Sequence, residues 1–365
     1  MKVCIPLRRP VLSSNLREDN LRTEERWERL VLEASISNPA VDEIFTTGCD
    51  WTGGGALSTK YKGPIKHSEA NNTVLLIHDC KLEIISSMPW KAVIANIFAG
   101  PWVEQIDLVQ VLARKYADKF MFSVGYPGLY QQESVLSHLK NFIEPSNLIL
   151  LPVPGVPAVS PGNNFLKSQI IWACRIIFIG QLENPAISWA LGALKNDPSL
   201  NLLILTGTEE QAIFRCINQK AEPLEDTLEN CFWNLPASAP YQEVRDRVLL
   251  SKPCSWMDVL GHYSQSKVMA TWGKQMGHPA IEAASHGVPF VGTGLLTGGS
   301  LVACRNYLHT IDISEFCATM NRLLVDETFY TETANAYRDY VAATYTYEAF
   351  NNNLNTILES RGLLV

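Results

Sequence analysis

The sequence has no long hydrophobic run and few charged residues. No apolar stretch reaches the 18 or more residues that a membrane-spanning helix needs, and the best candidate, residues 170–180, contains Arg175. Charged residues make up 18 % of the 365 residues, with 37 acidic against 30 basic side chains and a net charge of −7. This excess of acidic residues argues against a broad nucleic-acid-binding surface. A local basic groove is the remaining alternative.

The N-terminus also lacks the apolar segment of a secretory signal. The nine cysteines include no Cys-x-x-Cys pair, and no Cys/His cluster has the spacing of zinc ligands. We therefore predict a cytoplasmic protein with buried free thiols, no metal site and no transmembrane segment. Peripheral attachment to a membrane stays open.

Several motifs of common enzyme classes are missing as well. The sequence contains no Gly-x-Ser-x-Gly, no P-loop, and no Gly-x-Gly-x-x-Gly after a predicted strand. Their absence argues against a serine hydrolase, a P-loop NTPase and a dinucleotide-dependent dehydrogenase. No cofactor is predicted.

Apolar runs of strand length alternate with amphipathic stretches through most of the chain. In the N-terminal half the runs are at 3–6, 41–46, 74–78, 92–98, 120–124 and 148–153, and helical periodicity covers 20–34, 102–116 and 131–143. Further on, strands are predicted at 175–179, 200–205, 248–250, 268–271 and 288–291, and helices at 185–195, 209–219, 257–264 and 279–285. Such alternation is typical of α/β domains with parallel sheets.

A segment rich in proline and glycine, residues 152–162, interrupts the alternation near the middle of the chain. Its four prolines and two glycines in eleven residues exclude a helix or a central strand. We therefore predict an α/β fold with two Rossmann-like domains, over residues 1–155 and 163–340. Ligands bind beyond the carboxyl ends of the strands in such sheets, so we expect the two domains to face a central cleft that holds the site.

The most informative stretch covers residues 274–289 and reads Lys-Gln-Met-Gly-His-Pro-Ala-Ile-Glu-Ala-Ala-Ser-His-Gly-Val-Pro. Gly277 lets the backbone approach a ligand, and Pro279 suits the first turn of a helix that Gly287 would terminate. The N–H groups at such a helix start favour a phosphate or a carboxylate. Glu282 follows about one turn later, and its apolar neighbours favour a specific partner over a solvated position.

This stretch resembles the donor-binding motif of the GT-B glycosyltransferases, particularly the family 4-like retaining enzymes (glycosyl transferases group 1). The family's pattern is matched at Gly277, Pro279, Glu282, Ala283 and the run Gly287-Val288-Pro289. Segments 176–183, 202–209 and 259–269 resemble further parts of the family's donor domain in the same order. The tail, residues 341–365, contains a helix at 347–360 similar to the family's closing helix, which packs back toward the N-terminal domain.

The resemblance implies a hexosyltransferase-type enzyme that uses a nucleotide-sugar donor, such as a UDP- or GDP-sugar, and retains configuration. The C-terminal domain would hold the donor, and a glycan, lipid or small-molecule acceptor would enter from the N-terminal domain. Glu282 would bind the ribose hydroxyls, and the amides of Met276, Gly277 and His278 would hold the diphosphate. The other implied donor contacts are Gly180, Gln181, Thr206 and Gly207.

The sequence departs from the family's pattern at one acid and two cations. Lys274 stands where the family has the first glutamate of its Glu-x7-Glu motif, so that motif is degenerate here. Gln181 replaces the family's arginine, and a lysine usually found a few residues later is absent. Without these cations the leaving diphosphate lacks its usual stabilisation. We predict that Lys274 supplies the positive charge that stabilises the leaving diphosphate. The alternative is that Lys274 is a solvated surface lysine.

Two features of the N-terminal half are further candidates. His78 and Asp79 end a predicted strand and resemble the His-Asp pairs at a similar place in the family, where the histidine would touch a sugar hydroxyl. The loop with Gly53, Gly54 and Gly55 follows a strand and is a candidate for acceptor or phosphate binding. A structural histidine and a plain loop are the respective alternatives.

Two other functions stay open at this point. One is a GT-B protein that has lost transferase activity and acts as a binding or assembly subunit. The other is a sugar-nucleotide epimerase of the same fold, which shared architecture alone supports.

Overall fold

The computed structural model describes residues 1–8, 11, 23–50, 59–78, 82–97, 114, 119–125, 143–156, 159, 162–172, 185–205, 241–251, 255–271, 278–293, 301 and 304–364. The chain forms two compact units. The first comprises residues 1–157 and 343–365, and the second comprises residues 158–342.

The first unit is built on a seven-stranded parallel sheet. Its strands are β1 (Lys2–Leu7), β2 (Glu43–Gly48), β3 (Tyr61–Pro64), β4 (Thr73–His78), β5 (Ala92–Ile97), β6 (Phe120–Val124) and β7 (Leu148–Leu150). They lie in the order β3-β2-β1-β4-β5-β6-β7. The central strands are nearly continuous apolar runs because helices or connections cover both faces of a parallel sheet.

Among the described residues of the first unit, three helices connect these strands: α1 (Thr23–Ser37), α2 (His67–Ala70) and α3 (Leu82–Ser87). The helix α1 buries Trp27, Leu30, Val31 and Ala34, the apolar face expected from its periodicity. The helices predicted at 102–116, 131–143 and 209–219 lie outside the described residues, apart from residues 114 and 143.

The second unit contains a four-stranded parallel sheet of β8 (Gln169–Trp172), β9 (Asn201–Ile204), β10 (Val248–Leu250) and β11 (Ser266–Met269). The strand order is β10-β9-β8-β11. A short parallel pair, β12 (Gly292–Thr293) and β13 (His309–Thr310), follows. In the part of this unit that the structure describes, the helices are α4 (Pro185–Asn196), α5 (Tyr241–Val244), α6 (Trp256–Ser264), α7 (His278–Ser285), α8 (Ile313–Val325) and α9 (Glu327–Thr344).

The strands of the second unit differ from the predicted ones at two places. The strand predicted at 288–291 is wrong: the chain is irregular there, and the strand pair begins at Gly292. Pro289 has no N–H to donate to a ladder, and its carbonyl accepts a 3.0 Å hydrogen bond from Met269 N instead. The strand β8 was not predicted, and the strand predicted at 175–179 lies outside the described residues.

The last helix, α10 (Tyr347–Ser360), packs on α1 within the first unit. It buries Phe350, Leu354 and Leu358 at helical spacing. Asn351 Nδ2 donates to the carbonyl oxygen of Ala34 at 2.9 Å. Apolar burial and side-chain amides together attach the C-terminal helix to the first sheet's helical layer.

None of the helices in the described part of the chain combines the length and the apolar character that a membrane span requires. The described cysteines Cys4, Cys49, Cys304 and Cys317 are free. Burial raises the pKa of the Cys4 thiol, so that side chain stays protonated.

Candidate functional site

The strand order of the second unit creates a topological switch point between β8 and β11. These strands pair in parallel, with Ile171 opposite Met269, and β9 and β10 lie on the other side of β8. The crevice beyond the carboxyl ends of two such strands is the usual ligand site of doubly wound sheets. The stretch that resembles the donor motif connects the carboxyl end of β11 to α7, so it leaves the sheet at this switch point.

Most of the predicted donor contacts lie outside the described residues. In the chain they follow three neighbouring strands: Gly180 and Gln181 come after β8, Thr206 and Gly207 after β9, and Lys274, Met276 and Gly277 after β11. The structure describes two of the predicted donor contacts, His278 and Glu282, and both belong to α7.

His278 begins α7 and is buried, with 1 % of its surface exposed. Its backbone amide lies in the first turn, where N–H groups have no partner within the helix. The helix dipole adds partial positive charge at the same end. The contact of this amide with a diphosphate stays a prediction.

The other end of α7 is a Schellman motif. Val288 N donates to the carbonyl of Ala283 at 2.9 Å, and Gly287 N donates to the carbonyl of Ala284 at 3.0 Å. Gly287 has a φ of +69°, a left-handed conformation that glycine adopts at little cost. The predicted termination of this helix by Gly287 is confirmed.

Glu282 is the most informative side chain of α7. It is 1 % exposed, and its Oε1 accepts a 2.8 Å hydrogen bond from Nε1 of the buried Trp256. An ionised carboxylate that is removed from water without donors is costly, so the indole N–H stabilises Glu282 in this position. The burial excludes a solvated surface position for this residue.

Trp256 is oriented by the start of its own helix. Ser255 caps α6: its Oγ accepts from Asp258 N at 3.2 Å, and its own N donates to Asp258 Oδ2 at 2.9 Å. This reciprocal pair is a capping box, and the sequence Ser-x-x-Asp encodes it. The hydrogen bonds from Ser255 lower the pKa of Asp258, which stays ionised near the positive end of the helix dipole.

His286 lies directly after α7 and contacts the backbone of the same turn. Its Nδ1 is 2.7 Å from the carbonyl oxygen of Glu282 and 3.0 Å from Ser285 Oγ. Burial lowers the pKa of His286, against a smaller opposing effect of the hydrogen bond to Glu282. The imidazole is therefore neutral at pH 7 and its role here is structural.

Two tyrosines of α9 hold the chain that follows α7. Tyr330 donates to the carbonyls of Lys267 at 2.7 Å and Gly287 at 3.3 Å. Tyr337 donates to the carbonyl of Phe290 at 2.9 Å. These bonds satisfy backbone carbonyls where the predicted strand is interrupted, and they tie the segment after α7 to the rest of the unit.

The first unit has a switch point of its own between β1 and β4. Cys4 pairs with Leu75, and at a continued register Leu7 would lie beside His78. His78 ends β4 and pairs with Asn96 near the end of β5. His78 therefore lies at the carboxyl end of the central strand β4. In this topology ligands bind beyond the carboxyl ends of the strands.

The other candidates of the first unit, Asp79 and the loop with Gly53, Gly54 and Gly55, lie outside the described residues. Arg8 follows β1 at the same switch point and pairs with Glu28 of α1. The contact of Trp256 with Glu282 was not predicted, because nothing in the sequence links these two residues. Among the described side chains, no group of three or more His, Cys, Asp or Glu residues is placed to hold a metal ion.

The fold is similar to that of sucrose-phosphate synthase from Thermosynechococcus elongatus, with a TM-score of 0.63, 12 % identity and 99 % of both chains covered. HepE from Anabaena, solved in complex with UDP-glucose, matches with a TM-score of 0.60, 12 % identity and coverage of 99 % of this chain and 100 % of that chain. A glycosyltransferase from Rickettsia africae matches with a TM-score of 0.58, 11 % identity and 98 % of both chains covered.

Several other matched structures are of longer chains, of which this chain spans 54 % to 57 %. No protein-family model and no curated protein matches the sequence. At these levels of identity the similarity establishes the fold. The predicted α/β fold class is confirmed, and the chain has the fold of the GT-B glycosyltransferases.

Proposed function

We propose that the protein is a glycosyltransferase that transfers a sugar, with retention of configuration, from a nucleotide-sugar donor to an acceptor. One observation carries the proposal. The buried carboxylate of Glu282, held by Trp256, lies one turn into the helix that follows the β8/β11 switch point. This is the position where the resemblance puts the ribose-binding carboxylate, and HepE, which has the same fold, was solved with UDP-glucose.

The second unit is the proposed donor side. Glu282 binds the ribose hydroxyls of a UDP- or GDP-sugar, and the amides of Met276, Gly277 and His278 bind the diphosphate. A carboxylate has about four acceptor sites, so it can accept a hydrogen bond from Trp256 and also bind ligand hydroxyls. The helix dipole of α7 adds partial positive charge toward the phosphates.

The further donor contacts in the proposal are Gly180, Gln181, Thr206 and Gly207, which follow β8 and β9 in the chain. Lys274 neutralises the charge that develops on the leaving diphosphate, in place of the cations that the sequence lacks. The first unit is the proposed acceptor side, with His78 and Asp79 at the end of β4 and the Gly53–Gly55 loop after β2. The reaction is proposed to take place in the cytoplasm.

Calorimetric titration of the full chain with UDP, GDP and ADP tests the binding step. We expect one of the three to bind, and Glu282→Gln to weaken its binding about tenfold or more, because a neutral amide is a poorer acceptor for hydroxyl groups than a carboxylate. Absence of binding by all three nucleotides would contradict the proposal.

Incubation with the matching nucleotide sugar then separates the candidate functions. Slow release of the nucleoside diphosphate is expected of a transferase that uses water as the acceptor. Interconversion of the donor into an epimer would identify the epimerase. Binding without any turnover, even with acceptor mixtures, would favour the non-catalytic subunit, a candidate that the substitution of the family's glutamate by Lys274 supports.

A further inference from the structure

The residues on either side of Glu282 in α7 are apolar and buried. Ala280 and Ile281 precede it, Ala283 and Ala284 follow it, and none of these four side chains can donate a hydrogen bond. A carboxylate in such a setting is stabilised by a donor that another element supplies. The nature of that donor then decides how the carboxylate is presented to a ligand.

One such donor is the indole of Trp256, the first residue of α6. Its Nε1 lies 2.8 Å from Glu282 Oε1, and none of its surface is exposed. An indole N–H can donate a hydrogen bond but cannot accept one, so Oε1 is held as an acceptor. Because the carboxyl group is planar and rigid, a fixed Oε1 also restricts the orientation of the second oxygen.

Two further contacts fix the position of the indole. The capping box of Ser255 and Asp258 sets where α6 begins, and therefore the place of Trp256. Two turns later, Tyr263 of α6 packs against His286, with 6.2 Å between the ring centroids. The two contacts with the α7 region, one near each end of α6, hold the two helices in one register along each other.

The hydrogen bond belongs to the ligand edge of the second sheet. The helix α6 follows β10 and the helix α7 follows β11, so both helices begin beyond the carboxyl ends of parallel strands. Ligands of doubly wound sheets bind at this edge. A change at Trp256 therefore acts directly on the carboxylate that the proposed function assigns to the ribose.

We propose that Trp256 is a positioning residue that makes the site selective for a ribonucleotide. The indole holds Glu282 as an acceptor, and the carboxylate accepts hydrogen bonds from the ribose hydroxyls. A ligand that lacks one of these hydroxyls deprives a buried acceptor of one donor, so it binds less tightly. The inference rests on the proposed ribose contact of Glu282 and adds the residue that determines its selectivity.

Calorimetric titration of the full chain with related nucleotides tests the selectivity. The probes are UDP, GDP and ADP, and the 2′-deoxy and 3′-deoxy forms of each. For the nucleotide that binds, we expect at least one deoxy form to bind about tenfold or more weakly. The comparison of the two deoxy forms identifies the hydroxyl that Glu282 selects. Equal binding of the ribonucleotide and both deoxy forms would overturn the inference.

Trp256→Phe assigns the selectivity to the indole. The phenyl ring fills most of the space but donates no hydrogen bond, so Oε1 of Glu282 is no longer held by it. We expect the preference for the ribonucleotide to fall by about threefold or more. A purely structural role of Trp256 would weaken the binding of all forms by the same factor. An unchanged ratio between the forms would therefore refute the proposal.

Trp256→His is the second variant, and it separates the N–H group from the rest of the indole. The imidazole is also a five-membered ring, and its Nε2–H can take the place of the indole Nε1–H. We expect this variant to retain part of the preference that Trp256→Phe loses. A preference in Trp256→His no higher than in Trp256→Phe would contradict the role of the N–H group. Thermal melting reports the folding of each variant.

Trp189→Phe is the matched control. The side chain of Trp189 is also buried, and its Nε1 donates to Asn321 Oδ1 at 2.9 Å, but it belongs to α4. This variant should keep the native ratio between the ribonucleotide and its deoxy forms. Loss of the preference in both phenylalanine variants would show that lower stability is the cause, and would overturn the inference.

A double-mutant cycle tests whether Trp256 acts through Glu282. In Glu282→Gln the buried charge is absent, so the additional Trp256→Phe substitution does not deprive a carboxylate of a donor. We expect Glu282→Gln to lose the ribonucleotide preference, and the double variant to show the same ratio as Glu282→Gln. A further change of the ratio in the double variant would contradict the proposed route.

The same titrations separate this inference from the proposed function. If the native chain prefers the ribonucleotide and Trp256→Phe keeps that preference, the role of Trp256 fails and the proposed function stands. If none of the nucleotides binds the native chain, the proposed function itself fails.

Discussion

The indole Nε1 of Trp256 donates a 2.8 Å hydrogen bond to Oε1 of Glu282, between two residues that are 26 positions apart and both buried. The bond links the first residue of α6 to the second turn of α7. A carboxylate at this depth needs a donor, and the position of Trp256 depends on the capping box at Ser255. The proposed ribose contact therefore depends on a helix start elsewhere in the unit.

Replacing Trp256 by phenylalanine should affect both stability and nucleotide binding. The ring still fills most of the space, but the carboxylate loses a buried donor, which costs roughly 1.5–3 kcal/mol of unfolding free energy. Urea denaturation measures this loss, and titration with UDP or GDP measures the weaker binding that we expect.

The matched control is Trp189→Phe. Trp189 Nε1 also donates a side-chain hydrogen bond, to Asn321 Oδ1 at 2.9 Å, but it belongs to α4. This variant should lose stability and keep its nucleotide affinity. Unchanged affinity in Trp256→Phe as well would show that the orientation of Glu282 does not matter for nucleotide binding.

Lys274→Met should lower turnover more than donor binding. The charge on the leaving diphosphate grows in the transition state, so a cation that stabilises it acts mainly on kcat. We expect kcat for donor hydrolysis to fall about tenfold or more, with KM changed far less, and Lys274→Arg to retain part of the rate.

Lys195→Met serves as the control for that measurement. Lys195 is an exposed lysine at the end of α4 that pairs with Glu243. Its removal should leave both kinetic constants unchanged. A Lys274→Met enzyme with native kcat would mean that the lysine is a solvated side chain.

Gly287→Ala and Gly192→Ala should change stability in opposite directions. Neither new Cβ would meet an atom within 4 Å, so only the backbone conformation differs between the two sites. At Gly287 the left-handed φ of +69° should cost roughly 1–2 kcal/mol. Within α4, alanine at position 192 should stabilise by roughly 0.5–1 kcal/mol. Chemical denaturation of both variants checks the signs, and a stable Gly287→Ala would contradict the proposed strain.

The stability of the protein should fall between pH 7.5 and 5.5, in part because of His286. Burial lowers the pKa of His286 in the folded state below its usual value of 6.5. As the pH falls through 6.5 the unfolded chain takes up the proton first, so stability decreases until the folded-state pKa is reached. The slope for one such group is at most about 1.4 kcal/mol per pH unit.

Urea denaturation at pH 7.5 and 5.5, compared between the native chain and His286→Gln, isolates this contribution. The variant should lose less stability on acidification. His262, whose pKa is also lowered by burial, is present in both proteins and cancels in the comparison. An equal loss in both proteins would rule out His286 as the source.

Much of the local structure could be predicted because it depends on neighbours in the chain. The apolar runs at 120–124 and 248–250 are strands with the predicted bounds, since strands covered on both faces need continuous apolar residues. The periodicity of α1 identified its buried face, and Gly287 identified the end of α7 because only a residue tolerant of positive φ suits that position.

The strand predictions fail where the local composition favours a strand but hydrogen-bonded pairing with a neighbouring strand begins elsewhere. Residues 288–291 have the composition of a strand, but Pro289 cannot donate to a neighbour and the strand pair starts later. The strand β8 covers Gln169–Trp172, around the start of the apolar stretch at 170–180, and it was not predicted. Hydrophobicity alone does not mark where in a long apolar run the pairing begins.

The sequence by itself determined the alternation of strands and helices, the caps, and the stretch that resembles a donor motif, because each depends on residues within a few positions. Only the tertiary structure decided the strand order, and with it the two switch points. It also brought Trp256 to Glu282 and Arg8 to Glu28. Hydrogen bonds and ion pairs between distant segments depend on how the helices pack on the sheets, and no local pattern encodes that packing.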